Sequence, residues 1–204
     1  MNTVTNNSFR EESHRWNWYI PPGATRLFIG TFPTEERNIK HDFFYSSATN
    51  RFWDVISKLS DFEIEILKGV NGIEEKKKAL AKLNLGLTDM GRKVYRQMGS
   101  SKDHSLFPLE FMDIIQLVRD YPSIHTIIVS GESKGNSSLS WFAIFCDLNN
   151  VKVDLKELKE KNSTEIQVAG RKLKVCKAYS PSRAARGISD EALFENYKSI
   201  VSNT

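Results

Sequence analysis

Residues 124–130, IHTIIVS, constrain the fold more than any other stretch. A run this short, apolar and β-branched reads as a buried strand rather than a helix. It passes through a polar loop beginning at Gly131 into a helical segment rich in Leu139, Trp141, Phe142, Ile144 and Phe145. The same pattern occurs earlier. Residues 25–29 form a strand, a Gly/Pro loop follows, and a helix starts near Asn50 with Phe52, Trp53, Ile56 and Leu59 as its apolar stripe. Strands alternating with helices predict a parallel sheet between helical layers. The expectation is a three-layer α/β/α sandwich around a central, mainly parallel four-stranded sheet, whose other strands are residues 83–88 and 173–178.

The remaining segments are assigned around that frame. Residues 1–13 are polar and expected to fray, while Trp16 and Trp18 are expected to pack under the sheet. Residues 61–83 read as one or two helices broken near Asn71 and Gly72, with the charged run at residues 74–78 as a solvated face. Pro108 suits the first turn of a helix through Arg119. Residues 164–178 alternate around Ala169 and Gly170 like a hairpin. A last helix runs from Asp190 to Val201 behind Ser189 as N-cap. Residues 150–170 look like an insertion.

With 204 residues, the chain suits one domain with a full core. A hydrophobic content of 40% and a charged content of 26% are globular values. No apolar run approaches the ~20 residues of a membrane span. The first 16 residues lack an apolar signal core, so a cytoplasmic location is expected. Cys146 and Cys176 lack metal spacing and read as reduced core residues. His14, His41, His104 and His125 form no ligand pattern, so neither a metal nor a cofactor is expected. A net charge of +4 permits an anionic partner without requiring one.

Residues 30–53 concentrate the chemistry. Gly30 removes a Cβ at a strand exit, and Pro33 stiffens the loop beside it. Phe43, Phe44 and Tyr45 precede the lone amide of Asn50. These aromatics fit two roles, a core cluster or a platform for a planar ligand. Asn50 likewise fits a helix cap or a group that orients water. Asp89 at a strand end fits a turn cap or an acceptor for a ligand N–H.

Three loops follow strand ends, GTFPTEE, SGESKG and SPSRAARG. Together with FYSSATNRFW they resemble the uracil-DNA glycosylase superfamily, closest to its hypoxanthine and mismatch-specific branches, over about residues 21–187. Gly30, Phe32 and Pro33 match the first loop of that superfamily. Asn50, Phe52 and Trp53 match its helix start, and Pro181 and Ser182 its second loop. The resemblance implies a cofactor-free monomer that flips a deaminated or mismatched base, of the uracil or hypoxanthine class, out of DNA and hydrolyses its glycosidic bond. It implies Asn50 as the catalytic amide, with backbone N–H groups of Phe32 and Thr34 stabilising the leaving base. Tyr45, then Phe44, would form the stacking floor, and Gly30, Pro33, Asp89 and Ser130 would complete the base site. Ser180, Pro181, Ser182, Arg183, Arg186 and Lys134 would hold the DNA backbone.

One departure matters. The classical uracil enzymes carry an acid or amide where this chain has Phe32, with Glu35 and Glu36 the nearby carboxylates. Two alternatives therefore stand beside catalysis: a non-catalytic nucleic-acid-binding relative, and a hydrolase or binder of free nucleotides.

Overall fold

The computed structural model describes residues 9–64, 69–131, 135–185 and 187–201. In chain order the strands are β1 (Phe9–Ser13), β2 (Trp18–Tyr19), β3 (Arg26–Gly30), β4 (Leu85–Asp89), β5 (Gly91–Gln97), β6 (Leu106–Phe111), β7 (Thr126–Ser130), β8 (Ser163–Val168) and β9 (Arg171–Ala178). The helices are α1 (Phe52–Ser60), α2 (Gly69–Lys82), α3 (Ile114–Asp120), α4 (Ser138–Leu148), α5 (Leu155–Lys161) and α6 (Asp190–Val201).

The main sheet has the order β2-β4-β3-β7-β9-β8. Its inner neighbours β4, β3, β7 and β9 run parallel, while β2 and β8 pair antiparallel at the edges. The expectation of four strands is thus corrected to six, among the described residues, in a mixed sheet. Both additions are local devices. Ala169 (φ +53°) and Gly170 (φ +76°) form a two-residue turn with positive φ at both positions, whose twist matches a hairpin and returns β8 onto β9. Two residues of β2 lean on Thr88 and Leu87, a contact too short to leave a sequence pattern.

Alternation along the inner strands builds two cores. Leu27 and Ile29 face one side with Ile127 and Val129, packed under α3, α4 and the buried Leu158 of α5. Phe28 and Ile128 face the other, against Phe52, Trp53 and Ile56 of α1, Leu80 of α2 and Tyr197 of α6. Period-two alternation with both faces buried is what a parallel sheet between helices requires. Cys146 and Cys176 lie one in each core as free thiols. Burial pushes Cys146 up to about 12, which leaves it unreactive.

Several other expectations are corrected. The fraying expected over residues 1–13 is corrected for 9–13, where β1 pairs along its whole length with β5, from Phe9 opposite Gln97 to Ser13 opposite Lys93; residues 1–8 lie outside the described residues. Pro108 does not open a helix. It lies in β6, an edge strand of the small β1-β5-β6 sheet, where a residue without an N–H is tolerated. The helix begins instead at Ile114, capped by Asp113, which accepts from Gln116 N at 2.9 Å. Helix α2 continues through Asn71 and Gly72. Lys76, in the charged run, is fully buried, with Nζ 5.6 Å from the Trp53 ring centroid. Trp16 packs against the core but Trp18 is exposed. No helix among the described residues is long and apolar enough to cross a membrane.

Candidate functional site

The carboxyl ends of the inner strands bring Gly30 level with Asp89 and Ser130 level with Ala178. From β3 the chain passes to β4 on one side, and β7 lies on the other. This is the strand-order reversal where open α/β sheets form a crevice.

Gly30 is required there by close approach. A Cβ on it would collide with Asp89 Oδ1 and lie 2.8 Å from the Tyr45 hydroxyl. Tyr45 adopts φ +53°, a sparsely populated conformation for a non-glycine residue. Its ring stacks on Phe52 at 4.0 Å and 19°. The hydroxyl is buried without a hydrogen-bond partner among the described residues. Burial, and then the Asp89 charge, hold that phenol well above its usual range, so it stays protonated. Ser130 lies nearby and spends its own proton on Ile29 O at 3.2 Å. Gly30, Tyr45, Asp89 and Ser130 therefore converge. Phe44 sits behind them in the core, 1% exposed, and its carbonyl accepts from Trp53 Nε1 at 2.9 Å.

What holds Asp89 comes from outside the loops to which the sequence points. His14, delivered by the strap after β1, places Nε2 2.8 Å from Asp89 Oδ2, with the two side chains 1% and 8% exposed. The backbone N–H of Trp16 donates to His14 Nδ1 at 3.0 Å. A backbone N–H can only donate, so Nδ1 carries the lone pair and Nε2–H points at the carboxylate. Phe32 packs edge-on to this imidazole (5.5 Å, 89°) and lies under the Arg96 guanidinium at 5.6 Å. Dense aromatics at residues 16–19 beside a charged strand were the available signal.

A second carboxylate reaches the first loop. Thr31 Oγ1 donates to Asp103 Oδ2 at 3.0 Å. Asp103 is raised to about 6, chiefly by burial, with the Asp89 charge adding to it and the Thr31 bond opposing it. Asp103 is nevertheless an exposed residue, so solvent water reaches it. Pro33 O accepts from Arg96 Nη2 at 2.6 Å. The N–H groups of Phe32 and Thr34 make no hydrogen bond among the described residues. Both residues border a cleft of about 320 Å³ shared with Arg10, Glu12 and Arg15.

Asn50 sits at the opening of α1, where its Oδ1 accepts from Phe52 N at 2.9 Å. Its amide nitrogen has no partner among the described residues. Next to it, Arg51 is 4% exposed and clamps the second loop. Its backbone N donates to Pro181 O at 3.0 Å, and its guanidinium reaches Ile188 O at 2.8 Å and Asp190 Oδ1 at 3.1 Å. Ser180 and Ser182 hydroxyls accept from loop N–H groups at 3.3 and 3.2 Å. Pro181 is buried, and Arg183 is exposed with a 3.5 Å pairing to Asp190. Lys134 and Arg186 lie outside the described residues. A second cleft of about 340 Å³ between α1 and α6 is lined by Arg51, Asp54, Lys58 and Phe194. Neither of these clefts is walled by Tyr45, Asn50 or Asp89; the space directly above Gly30 is taken by the Asp89 carboxylate, 6% exposed, and the buried Tyr45 hydroxyl.

No protein-family model matches the chain, and no curated protein matches it. Among solved structures it is similar to the solution NMR structure of a candidate uracil DNA glycosylase from Methanosarcina acetivorans. That likeness has a TM-score of 0.56 and 18% identity, and covers 86% of this chain and 89% of that one. At this identity it establishes a shared mixed α/β fold.

Proposed function

We propose that the chain is a monofunctional DNA glycosylase that everts a deaminated or mismatched base, of the uracil or hypoxanthine class, and hydrolyses its glycosidic bond. The observation that carries this reading is the convergence of Gly30, Tyr45 and Asp89 at the strand-order reversal, within one turn of Asn50 through the Tyr45–Phe52 stack. Asp89 Oδ1 is the acceptor for an N–H of the base edge, because Oδ2 is committed to His14. Phe52, uncovered when the Tyr45 ring swings off it, is the stacking surface, and the N–H groups of Phe32 and Thr34, unpaired among the described residues, are donors to a departing anionic base. The Asn50 amide nitrogen is available to the flipped nucleotide. Ser180, Ser182 and Arg183 lie at the same sheet edge, where the phosphate backbone would run, and a positive net charge suits that partner. A base reaches Asp89 only when the Tyr45 ring moves aside. Glycosyl transfer of this kind passes through a cation-like sugar and needs water rather than a cofactor.

The closed crevice also favours a competing reading, a DNA-binding relative without base release. Labelled duplexes bearing uracil, hypoxanthine or xanthine, treated with enzyme and then hot alkali, separate the two. The expected result is cleavage at one modified base, reduced by about 10²-fold or more in Asn50→Ala, the scale of a lost oriented catalytic contact. If every duplex stays intact at stoichiometric enzyme while binding remains salt-sensitive, the catalytic reading fails and the binding reading stands.

A further inference from the structure

Resting on the glycosylase reading, we propose that Asp103 supplies the water-activating carboxylate missing from the first loop. That loop carries Phe32 where the resemblance implies an acid or amide, and the Phe32 ring is occupied with His14 and Arg96. Asp103 arrives from 72 positions further along the chain and hydrogen-bonds Thr31, the residue directly after Gly30. The pairing is braced. Arg37 Nη2 donates to Gly99 O at 3.0 Å, Asn38 Nδ2 to Ser101 Oγ at 2.7 Å, and Arg96 bridges Pro33 O and Ser100 O at 2.6 and 3.2 Å.

The other carboxylates at this edge are committed. Glu35 pairs with Arg37 at 2.8 Å, Glu36 with Arg15 at 2.7 Å, and Asp89 with His14. Asp103 has no cation in salt-bridge contact among the described residues, and only Oδ2 is bonded. Its Oδ1 is free to take a proton from water. The groups that face it are Asp89 from β4, Arg96 from β5, the adjacent His104 and the Tyr45 phenol. Burial and Asp89 outweigh Thr31, Arg96 and His104 and set its titration near 6. Such a group is ionised at neutral pH and basic enough to accept a proton.

In the step, water oxygen bonds to C1′ as the C1′–N bond breaks and its electron pair leaves with the base. One water proton passes to Asp103 Oδ1, and the base anion takes a proton from solvent. Water is added across the glycosidic bond with no further reactant.

Single-turnover base release, measured from pH 5 to 9 alongside duplex affinity, tests this assignment. Wild type should rise through an inflection near pH 6 to a plateau. Asp103→Asn preserves an acceptor for Thr31 but cannot take the proton. It should bind duplex within about twofold of wild type, release base about 10²-fold more slowly, and lose the inflection. Thr31→Val is the second variant: it removes the hydrogen bond that lowers the Asp103 titration, so the inflection should move to higher pH. An Asp103→Asn enzyme within about threefold of wild type with the inflection intact overturns the assignment and leaves the glycosylase reading standing. So does an unmoved inflection in Thr31→Val. A wild-type protein that releases no base overturns both.

Discussion

Replacing His14 by alanine tests whether the amino-terminal strap holds the site or merely decorates the small sheet. In the native structure the imidazole is 1% exposed, bonded to Asp89 and Trp16, and surrounded by Phe32, Trp16 and Phe44 at 5.5 to 5.9 Å. Its removal has two costs. The smaller is lost packing, ~1 kcal/mol for a half-polar ring. The larger is the Asp89 carboxylate, 8% exposed, left without its donor; orphaning one member of a buried pair costs ~3–5 kcal/mol. Water admitted through the new gap offsets part of that, so a loss of ~4 kcal/mol is expected. For a chain of this length that corresponds to a fall in Tm of roughly 8–16 °C. Asp89→Asn alone should cost only about 1 kcal/mol, because an amide oxygen still accepts from Nε2–H. The double variant His14→Ala/Asp89→Asn should be about 2 kcal/mol more stable than His14→Ala, since no unpaired charge remains. Urea unfolding monitored by circular dichroism reads all four proteins of the cycle. A His14→Ala protein within about 1 kcal/mol of wild type, or strictly additive losses in the double variant, would refute the buried-pair argument.

Two further outcomes follow from buried polar groups. Tyr45→Phe deletes a hydroxyl with no partner among the described residues, so thermal denaturation should show a protein as stable as wild type or up to ~1 kcal/mol more stable; a loss above ~1 kcal/mol would mean the hydroxyl is bonded. His41 is 7% exposed, and burial first, then Lys76, lowers it to about 4. Its neutral form is the folded form, so its contribution is complete above pH 6.5 and is lost as pH falls toward 4, up to ~3 kcal/mol. The His41 C2–H resonance should inflect near pH 4 rather than near 6.5.

What was legible in the chain is what a short window determines. Strand β7 and helix α6, which runs from Asp190 to Val201, follow from local apolar pattern. The β8–β9 hairpin follows from Ala169 and Gly170. Asn50 declares a helix start, although its bond reaches Phe52 N and the helix begins after Arg51. The failures share a different cause. Strand β1, FREES, has almost no buried side chain, and exists because β5 lies beside it. Strand β6 contains a proline and exists because it is an edge. Lys76 looked solvated because periodicity cannot report that a lysine stem lies on a tryptophan face. In the site, His14 meets Asp89 across 75 positions, Thr31 meets Asp103 across 72, and Arg51 meets Ile188 across 137. Single-sequence patterns carry no information at such separations, so the residues named from loops were found and the groups that hold them were not.

The closed crevice sets an energetic condition on the proposed reaction. Moving Tyr45 out gives up its stack on Phe52, about 0.5–1.5 kcal/mol beyond plain burial. It also releases a buried, unpaired hydroxyl to water, which returns about 1–3 kcal/mol. An entering base restores stacking worth roughly 1–3 kcal/mol and satisfies Asp89 Oδ1, which faces Gly30. The backbone at Tyr45, held at φ +53°, relaxes in the same movement. Against these returns stand the lost stack and the apolar ring area that Tyr45 exposes on leaving, up to ~3 kcal/mol for an aromatic side chain, so exchanging the tyrosine ring for a flipped base is close to balanced. The main cost of entry is then unstacking the base from DNA, which is smallest for a mispaired base. On the proposed function, a crevice shut at rest therefore favours the damaged nucleotide over the normal one before any atom of the base is read.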